Sequence, residues 1–339
     1  MKVYSKKALN EFNQSLTYDD ISLIPTEISR IKSRNEAETN CTFLGLKLTV
    51  PVISSPMDTV TGMDMAKELT NLGCLGILNR FDSSLDEVLS NGKSVRGIRG
   101  VSISLNNDLK AIEKLVLRKY VICIDTANAS NKVVLKKTEQ IRKKFPEAKL
   151  IVGNIAHGAT LQQLEDAGAD AVRVGIGSGS VCTTSIQTGI GIGQVSSLLN
   201  TYFSRNEKKL KIKIIADGGI KSPGDAAKAI ALGADVVMLG RMLSGTRETP
   251  GEVIKYKGQL WKKYRGSASF GVKMRNEFIE GEETMVAYKG AVKNVIDAIS
   301  DGLKSSMSYM NCLNISELRK IDTFAILSNS SYLERLPKI

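Results

Sequence analysis

The most reactive candidate in this chain is Cys182, which lies in a glycine-rich segment directly after a short apolar run. The run covers residues 171–174, and the segment GIGSGSVCTT covers residues 175–184. Glycines in such a turn let a ligand approach the backbone closely, and successive backbone N–H groups can bind a phosphate. We therefore predict that Cys182 is a nucleophile beside an anion site, although many cysteines are buried simply as small apolar side chains.

This segment resembles the active-site loop of the IMP dehydrogenase/GMP reductase family. Other motifs in the family's order extend the resemblance over nearly the whole chain: LTYDDISLIP at 16–25, PVISSPM at 51–57, VGN at 152–154, QTGIG at 187–191, ADGGI at 216–220 and YRGSAS at 264–269. Several independent motifs in one order make chance agreement very improbable. The resemblance implies a purine nucleotide, GMP or IMP, as the small-molecule partner.

The family's two reactions both pass through a covalent thioimidate between a cysteine and C2 of the purine. In the reductases ammonia leaves C2 of GMP, and a hydride from NADPH then gives IMP. In the dehydrogenases a hydride passes from IMP to NAD, and water hydrolyses the adduct. By resemblance Cys182 is the nucleophile, and Thr184 and Glu280 supply the hydroxyl and carboxylate that move protons at C2.

Two stretches favour the reductase branch, in its compact bacterial form. Only residues 81–100 lie between the second and third predicted strands, where the dehydrogenases usually carry inserted regulatory CBS modules. The stretch 267–279 is short and contains Arg275 but no tyrosine, whereas a dehydrogenase flap is longer and bears an Arg-Tyr pair. An IMP dehydrogenase that lacks the regulatory domain and a non-catalytic purine nucleotide sensor remain the alternatives.

The resemblance also assigns binding roles to residues on several predicted loops. The substrate-binding residues it implies are Ser180, Asp217, Gly219, Gly240, Arg241, Tyr264, Ser267 and Ser269. The cofactor NADPH would contact Asp125, Arg80 and Asn154, and a monovalent cation such as K⁺ could bind the backbone carbonyls of Gly177, Gly179 and Cys182. Three of these residues have plain structural alternatives: Asp125 as a helix N-cap, Gly240 as a turn and Glu280 as an exposed loop carboxylate.

Eight short apolar runs with helical patterns between them must position these residues. The runs lie at 51–57, 74–78, 100–105, 120–124, 150–153, 171–174, 212–216 and 236–239. Near-continuous apolar strands that alternate with helices indicate a parallel sheet, and eight such units predict a closed (β/α)₈ TIM barrel. The candidate residues follow the strand ends, where a barrel places its active site. We predict one catalytic domain over 1–339, with an N-terminal extension of about 1–50 and a C-terminal segment of about 264–339.

Composition and charge indicate the cellular compartment and the kinds of partner that we expect for this chain. Residues 1–12 lack the apolar core of a signal peptide, and the five cysteines have no CxxC spacing, so we expect a reduced, cytoplasmic protein without a membrane partner. The net charge of +12 suits polyanionic ligands. The basic clusters at 142–144 and 208–213 lack interleaved aromatic residues, so we predict solvated faces and no nucleic-acid partner. The family resemblance implies a homotetramer.

Overall fold

The computed structural model describes residues 2–81, 84–90, 95–266 and 282–335. Its strands are β1 Ile21–Leu23, β2 Cys41–Phe43, β3 Leu46–Leu48, β4 Val52–Ser54, β5 Ile77–Leu78, β6 Gly100–Ile103, β7 Val121–Asp125, β8 Lys149–Ile155, β9 Ala171–Val174, β10 Lys213–Asp217, β11 Val236–Leu239, β12 Ile254–Tyr256, β13 Gln259–Arg265, β14 Glu283–Ala287 and β15 Phe324–Ile326.

The α-helices are α1 Lys6–Asn10, α2 Met63–Asn71, α3 Ser84–Ser90, α4 Leu109–Leu117, α5 Lys132–Lys144, α6 Leu161–Asp166, α7 Thr184–Thr188, α8 Gln194–Glu207, α9 Pro223–Ala231, α10 Val292–Tyr309, α11 Ile315–Leu318 and α12 Asn329–Glu334. Short 3₁₀ helices cover Tyr18–Asp20, Arg34–Glu36 and Gly158–Thr160. Within the described ranges, no helix is both long enough and apolar enough to span a lipid bilayer.

Strands β4 to β11 form one parallel sheet of eight strands, in which β5 to β11 pair in sequence and β4 pairs with β11. A parallel bridge between Ile53 and Leu75 closes the remaining gap, where the N–H of Ser54 donates to the carbonyl of Leu75 at 3.0 Å. This arrangement confirms the predicted (β/α)₈ barrel. The runs at 51–57 and 74–78 deviate most, because only Val52–Ser54 and Ile77–Leu78 are strand and Leu75 contributes a single bridge.

Alternation along the strands divides the core into two layers. The layer inside the barrel contains Val121, Cys123 and Ile215, whereas Ile122 and Ile214 belong to the layer between the sheet and the helices. Because side chains alternate across a strand, Asp125 and Asp217 share the inward face with Cys123 and Ile215. The end of each of these strands therefore presents a carboxylate to the mouth of the barrel.

Additional elements cover both ends and the side of the barrel. The β2–β3 hairpin adds Phe43 and Leu48 to the inner apolar layer. Helix α10 packs between α9 and α2, and thereby completes the helical ring. Strands β12, β13 and β14 form an antiparallel sheet, and β1 pairs with β15. The division into an N-terminal extension, a barrel and a C-terminal segment stays a prediction.

Helix α6 is followed by a glycine with left-handed backbone, Gly168. Gly168 has φ of +98°, its N–H donates to the carbonyl of Glu165, and that of Ala169 donates to the carbonyl of Leu164. A Cβ at Gly168 would lie 2.4 Å from Cγ of Arg142, whose guanidinium donates to the Gly168 carbonyl. The glycine therefore satisfies both a backbone and a packing requirement.

We predict that Gly168→Ala lowers the free energy of unfolding by clearly more than the ~1–2 kcal/mol that a left-handed conformation alone costs an alanine. The matched control is Gly251→Ala, because Gly251 has φ of +87° and a Cβ at that position would have no heavy atom within 4 Å. Chemical denaturation of both variants measures the difference. Equal losses would show that the Arg142 contact carries no cost.

Candidate active site

A cavity of about 420 Å³ opens at the carboxyl ends of the barrel strands. All the predicted site residues that the structure describes line this cavity: Arg80, Asp125, Asn154, Gly177, Gly179, Ser180, Cys182, Thr184, Asp217, Gly219, Gly240, Arg241 and Tyr264. The other three predictions, Ser267, Ser269 and Glu280, lie outside the described residues. The cavity thus brings together side chains from loops that are far apart in the sequence, as expected at this end of a barrel.

Cys182 is half-buried on the loop that joins β9 to α7. Its thiol donates a hydrogen bond to Oγ1 of Thr184 at 3.1 Å, and its N–H donates to the carbonyl of Gly179 at 3.1 Å. The N–H of Glu282 donates to the carbonyl of Val181 at 3.0 Å and ties the chain beside β14 to this loop. The sulfur is therefore presented to the cavity next to a hydroxyl that can exchange a proton with it.

The other four cysteines, Cys41, Cys74, Cys123 and Cys312, do not line this cavity. Burial raises the pKa of Cys41 and Cys312 to about 11 and that of Cys74 and Cys123 to about 12. Because the thiolate is the reactive form, these four cysteines are poor nucleophiles at neutral pH.

One corner of the cavity, formed by Ser180, Gly240 and Tyr264 beside β11 and β13, has hydroxyl groups that can donate to an anion, and we call it the anion corner. The hydroxyls of Ser180 and Tyr264 are 3.2 Å apart, and burial raises the pKa of Tyr264, which keeps the phenol protonated as a donor. A Cβ at Gly240 would lie 3.2 Å from Sδ of Met57 and 3.3 Å from the Tyr264 hydroxyl. The absence of a side chain at Gly240 therefore leaves room for a ligand atom to approach the backbone.

Two positively charged side chains lie on the Gly240 side of the cavity, one of them on its wall. Arg241 lines the cavity, and the ammonium of Lys289 donates to the carbonyls of Arg241 at 2.9 Å and Met242 at 3.1 Å. Burial and the neighbouring Arg241 guanidinium lower the pKa of Lys289, as expected for two cations held close together. A phosphate bound at this corner would relieve their mutual repulsion.

Arg173 joins the two carboxylates at the mouth of the barrel. Its guanidinium donates to Oδ1 of Asp125 at 2.6 Å and, through Nε and Nη2, to Oδ2 of Asp217 at 3.0 and 2.8 Å. Burial alone would lower the pKa of Arg173, but the neighbouring negative charges of Asp217 and Asp125 outweigh it and raise the pKa. Arg173 is therefore a permanent cation inside the barrel.

The same network orients two further site residues. Nδ2 of Asn154 donates to Oδ2 of Asp217 and to the Gly175 carbonyl, both at 2.8 Å, and Nε of Arg80 donates to Oδ2 of Asp125 at 3.3 Å. Among the described residues, every hydrogen bond to the Asp217 carboxylate reaches Oδ2. Oδ1 of Asp217 is therefore left to accept hydrogen bonds from the hydroxyl groups of a ligand.

Arg173 is the functional residue that the sequence analysis missed. The signal was present, because a charged residue interrupts the apolar strand 171–174 at an inward-facing position. A buried cation in a strand requires an anionic partner, and Asp125 at the end of β7 and Asp217 at the end of β10 supply it.

The structure leaves the cation prediction open. The carbonyl of Gly179 already accepts the N–H of Cys182, which leaves it one lone pair for a further contact. Across the ranges that the structure describes, no cluster of three or more His, Cys, Asp or Glu side chains could hold a metal ion. Binding of a monovalent cation by Gly177, Gly179 and Cys182 would therefore rely on backbone oxygens and stays a prediction.

Comparison with known proteins places this site in a family. A model of the IMP dehydrogenase / GMP reductase domain matches residues 15–338. The chain is 34% identical to GMP reductase of Clostridium acetobutylicum over 93% of this chain and 96% of that protein. It is 36% identical to GMP reductase of Streptococcus gordonii, over 95% of this chain and 98% of that protein. GMP reductase of Bacillus subtilis is 32% identical, over 93% and 97% of the two chains.

We predict that Arg173→Met lowers the free energy of unfolding by about 3 kcal/mol, because it leaves two carboxylates close together without their cation. Arg173→Lys should lose less, since it keeps the charge but cannot make the forked contact with Asp217. Urea denaturation of the two variants and the unchanged protein measures both effects. A Met variant as stable as the unchanged protein would show that the contacts of Arg173 with Asp125 and Asp217 contribute nothing to folding.

Proposed function

Because this chain belongs to the IMP dehydrogenase/GMP reductase family, we propose that it is a GMP reductase that converts GMP to IMP and ammonia with NADPH through a thioimidate on Cys182. The observation that carries the proposal is the contact between the Cys182 thiol and Thr184 on the wall of a cavity with an anion corner. The three relatives named above are all GMP reductases, which favours the reductase over the dehydrogenase.

The cavity can hold the nucleotide by its phosphate and ribose. The 5′-phosphate would lie at Ser180, Gly219, Gly240 and Tyr264, where backbone N–H groups and hydroxyls can donate to it, with Arg241 adding a charge-assisted contact. Oδ1 of Asp217 would accept hydrogen bonds from the ribose hydroxyls. Since Cys182 lines the same cavity, these contacts would present the purine ring to its sulfur.

The first half-reaction is an exchange at C2 of the purine. The Cys182 thiol passes its proton to Oγ1 of Thr184 as this hydroxyl gives its own proton to the carboxylate of Glu280, and the sulfur forms a bond to C2. The C2–N bond then breaks, and the amino group takes up a proton and leaves as ammonia. We propose Glu280 as the carboxylate that relays this proton with Thr184. In the second half-reaction C2 receives a hydride, the C–S bond breaks, and sulfur leaves as the Cys182 thiolate.

NADPH, when bound, supplies the hydride for the second half-reaction. The residues on the side of the cavity away from Gly240 suit such a cofactor, because Asp125 can accept hydrogen bonds from ribose hydroxyls and Arg80 adds positive charge. Cζ of Arg80 lies 4.3 Å from the centre of the Phe81 ring, and this stacking holds the guanidinium beside Asp125. Asn154 bridges this half of the site to Asp217.

The remaining expectations follow the family resemblance and form part of the same proposal. We propose a cytoplasmic homotetramer whose partner is the purine nucleotide, rather than nucleic acid or a membrane. A monovalent cation such as K⁺ would bind the Cys182 loop. The contact between Cys182 and Thr184 counts against a non-catalytic nucleotide sensor, because a sensor would need neither group.

Two parallel assays test the reaction. We predict that GMP causes NADPH oxidation, followed by absorbance of the reduced nicotinamide, and that IMP with NAD gives no reduced cofactor beyond background. Activity in only the second assay would identify a dehydrogenase. Nucleotide binding without activity in either assay would identify a sensor.

Removal of the nucleophile tests the role of Cys182. Cys182→Ala should reduce kcat by at least about 10³-fold, because no covalent intermediate can form, while GMP binding measured by calorimetry stays largely unchanged. Cys41→Ala is the matched control, because Cys41 is also half-buried but belongs to the β2–β3 hairpin. Residual Cys182→Ala activity within tenfold of the unchanged enzyme contradicts a covalent mechanism.

Glu280→Gln should separate the two half-reactions. Glutamine keeps the shape but cannot exchange a proton, so loss of ammonia should slow by about 10²-fold or more. With IMP and NADP⁺ but no ammonia, the variant should still form reduced cofactor in a single burst. Glu282→Gln, in which the side chain is exposed, is the matched control. Equal losses in both half-reactions would exclude Glu280 as the proton relay.

A further inference from the structure

Gln194 is the first residue of α8 and lies buried beneath the loop that carries Cys182, with 1% of its surface exposed. Nε2 of its amide donates to the carbonyl of Val174 at 2.7 Å, and its Oε1 accepts from the hydroxyl of Ser178 at 2.9 Å. Val174 ends strand β9, and Ser178 lies midway between this strand and Cys182. One side chain therefore holds the loop at its origin and at its middle.

The backbone of the cysteine loop passes very close to this amide and to the chain after β10. Gly175 has φ of +145°, and a Cβ there would lie 2.0 Å from the Asp217 carbonyl and 2.7 Å from Oε1 of Gln194. A Cβ at Gly218 would lie 2.4 Å from Oγ of Ser178. The cysteine loop and the loop after β10, which begins at the proposed ribose carboxylate, therefore meet at Gln194.

The N-terminal segment fixes the start of α8 from the opposite side. The N–H of Gly193 donates to Oγ of Ser15 at 2.7 Å, and the N–H of Val195 donates to the carbonyl of Leu16 at 3.0 Å. Oγ of Ser196 accepts the N–H of Leu16 at 2.8 Å. The backbone of Gln194 is consequently held on both sides, and only its side chain reaches the loop.

We propose that Gln194 is a positioning residue that sets the place of Cys182 in the site by holding Val174 and Ser178 with its amide. The proposal rests on the proposed function only where it calls Cys182 the nucleophile. A buried amide must keep both its donor and its acceptor paired, so loss of either contact releases the loop. Displacement of a reacting group by about 1 Å can cost 10²-fold in rate.

The test compares Gln194→Met with Ser197→Ala. Methionine keeps the length of glutamine but has no amide, whereas Ser197 lies on the same helix, is 1% exposed and donates to the Ala156 carbonyl after β8. Both variants lose buried hydrogen bonds, and only the first loses those to the cysteine loop. Thermal unfolding of each variant records its general loss of stability.

Two readouts report the position of the loop. Gln194→Met should reduce kcat for GMP reduction by about 10²-fold, with a smaller change in KM. Peptide-resolved labelling with iodoacetamide should modify Cys182 about tenfold faster in this variant, because the released loop exposes the half-buried sulfur. The buried Cys74, Cys123 and Cys312 should remain unlabelled in the same samples. Ser197→Ala should leave both readouts near those of the unchanged protein.

Ser178→Ala shows whether Gln194 acts through this loop. It should change both readouts in the same direction and by less, because the contact with Val174 remains. Combined with Gln194→Met, it should add little further effect, as expected for residues that share one interaction. Additive effects would overturn the proposal.

Gln194→Glu adds a signature that a general packing defect cannot give. A protonated glutamic acid can donate to Val174 and accept from Ser178, whereas the carboxylate has lost the donor, and burial favours the protonated form. Activity relative to the unchanged enzyme should therefore be highest at low pH and fall as pH rises. Among the described residues, Tyr18 and the Asp19–Lys221 ion pair line a cavity together with Gln194, and Asp217 reaches this position only through its backbone carbonyl, which accepts from Ser178. All of these groups are present in the unchanged enzyme used as reference.

Three further results would overturn the proposal. The first is a Gln194→Met variant whose kcat and Cys182 labelling match those of Ser197→Ala. The second is equal labelling of all the cysteines, which reports general unfolding. The third is a Gln194→Glu variant with the pH dependence of the unchanged enzyme. The labelling experiment needs no turnover, so failure of the GMP reductase proposal would leave the positioning test valid.

Discussion

The ion cluster around Arg173 is the constraint on which the rest of the site depends. A guanidinium that is 7% exposed holds Asp125 and Asp217 at the ends of two different strands, on the two sides of the cavity. Without this cation two carboxylates would repel each other in a poorly solvated space. With it, both carboxylates are held in place at the mouth of the barrel, where each can accept hydrogen bonds from a different ligand. This fixed arrangement is the pre-organisation that catalysis requires.

The cysteine loop is held by hydrogen bonds rather than by ion pairs, because its functional group is a thiol and not a charged side chain. Hydrogen bonds to backbone carbonyls and to Ser178 hold it from below, and the chain beside β14 reaches it through the N–H of Glu282. Gly175 and Gly218 let the cysteine loop and the chain at the end of β10 pass close to each other. The site therefore combines the buried ion cluster of Arg173, Asp125 and Asp217 with a glycine-rich loop that is held by a few hydrogen bonds.

The barrel could be predicted from the sequence because strands buried on both faces appear as continuous apolar runs, whereas the residues of the candidate site were predicted from the family resemblance. The end of each run then locates a loop of the active site. Arg173 and Gln194 could not be assigned in this way, because their roles come from partners on other strands and loops: Asp125 and Asp217 for the first, Val174 and Ser178 for the second. The short strand at Ile77–Leu78 was overestimated, since composition shows burial but not hydrogen bonding.

Direct detection of the covalent intermediate tests the central claim most directly. The protein would be mixed with ¹⁴C-labelled IMP and NADP⁺ without ammonia, quenched in acid and digested. The peptides would then be separated by chromatography and identified by mass spectrometry. The account predicts purine label on the peptide that contains Cys182, formed at the same rate as reduced cofactor. Reduced cofactor without label on that peptide, in a protein that still converts GMP to IMP, would contradict it.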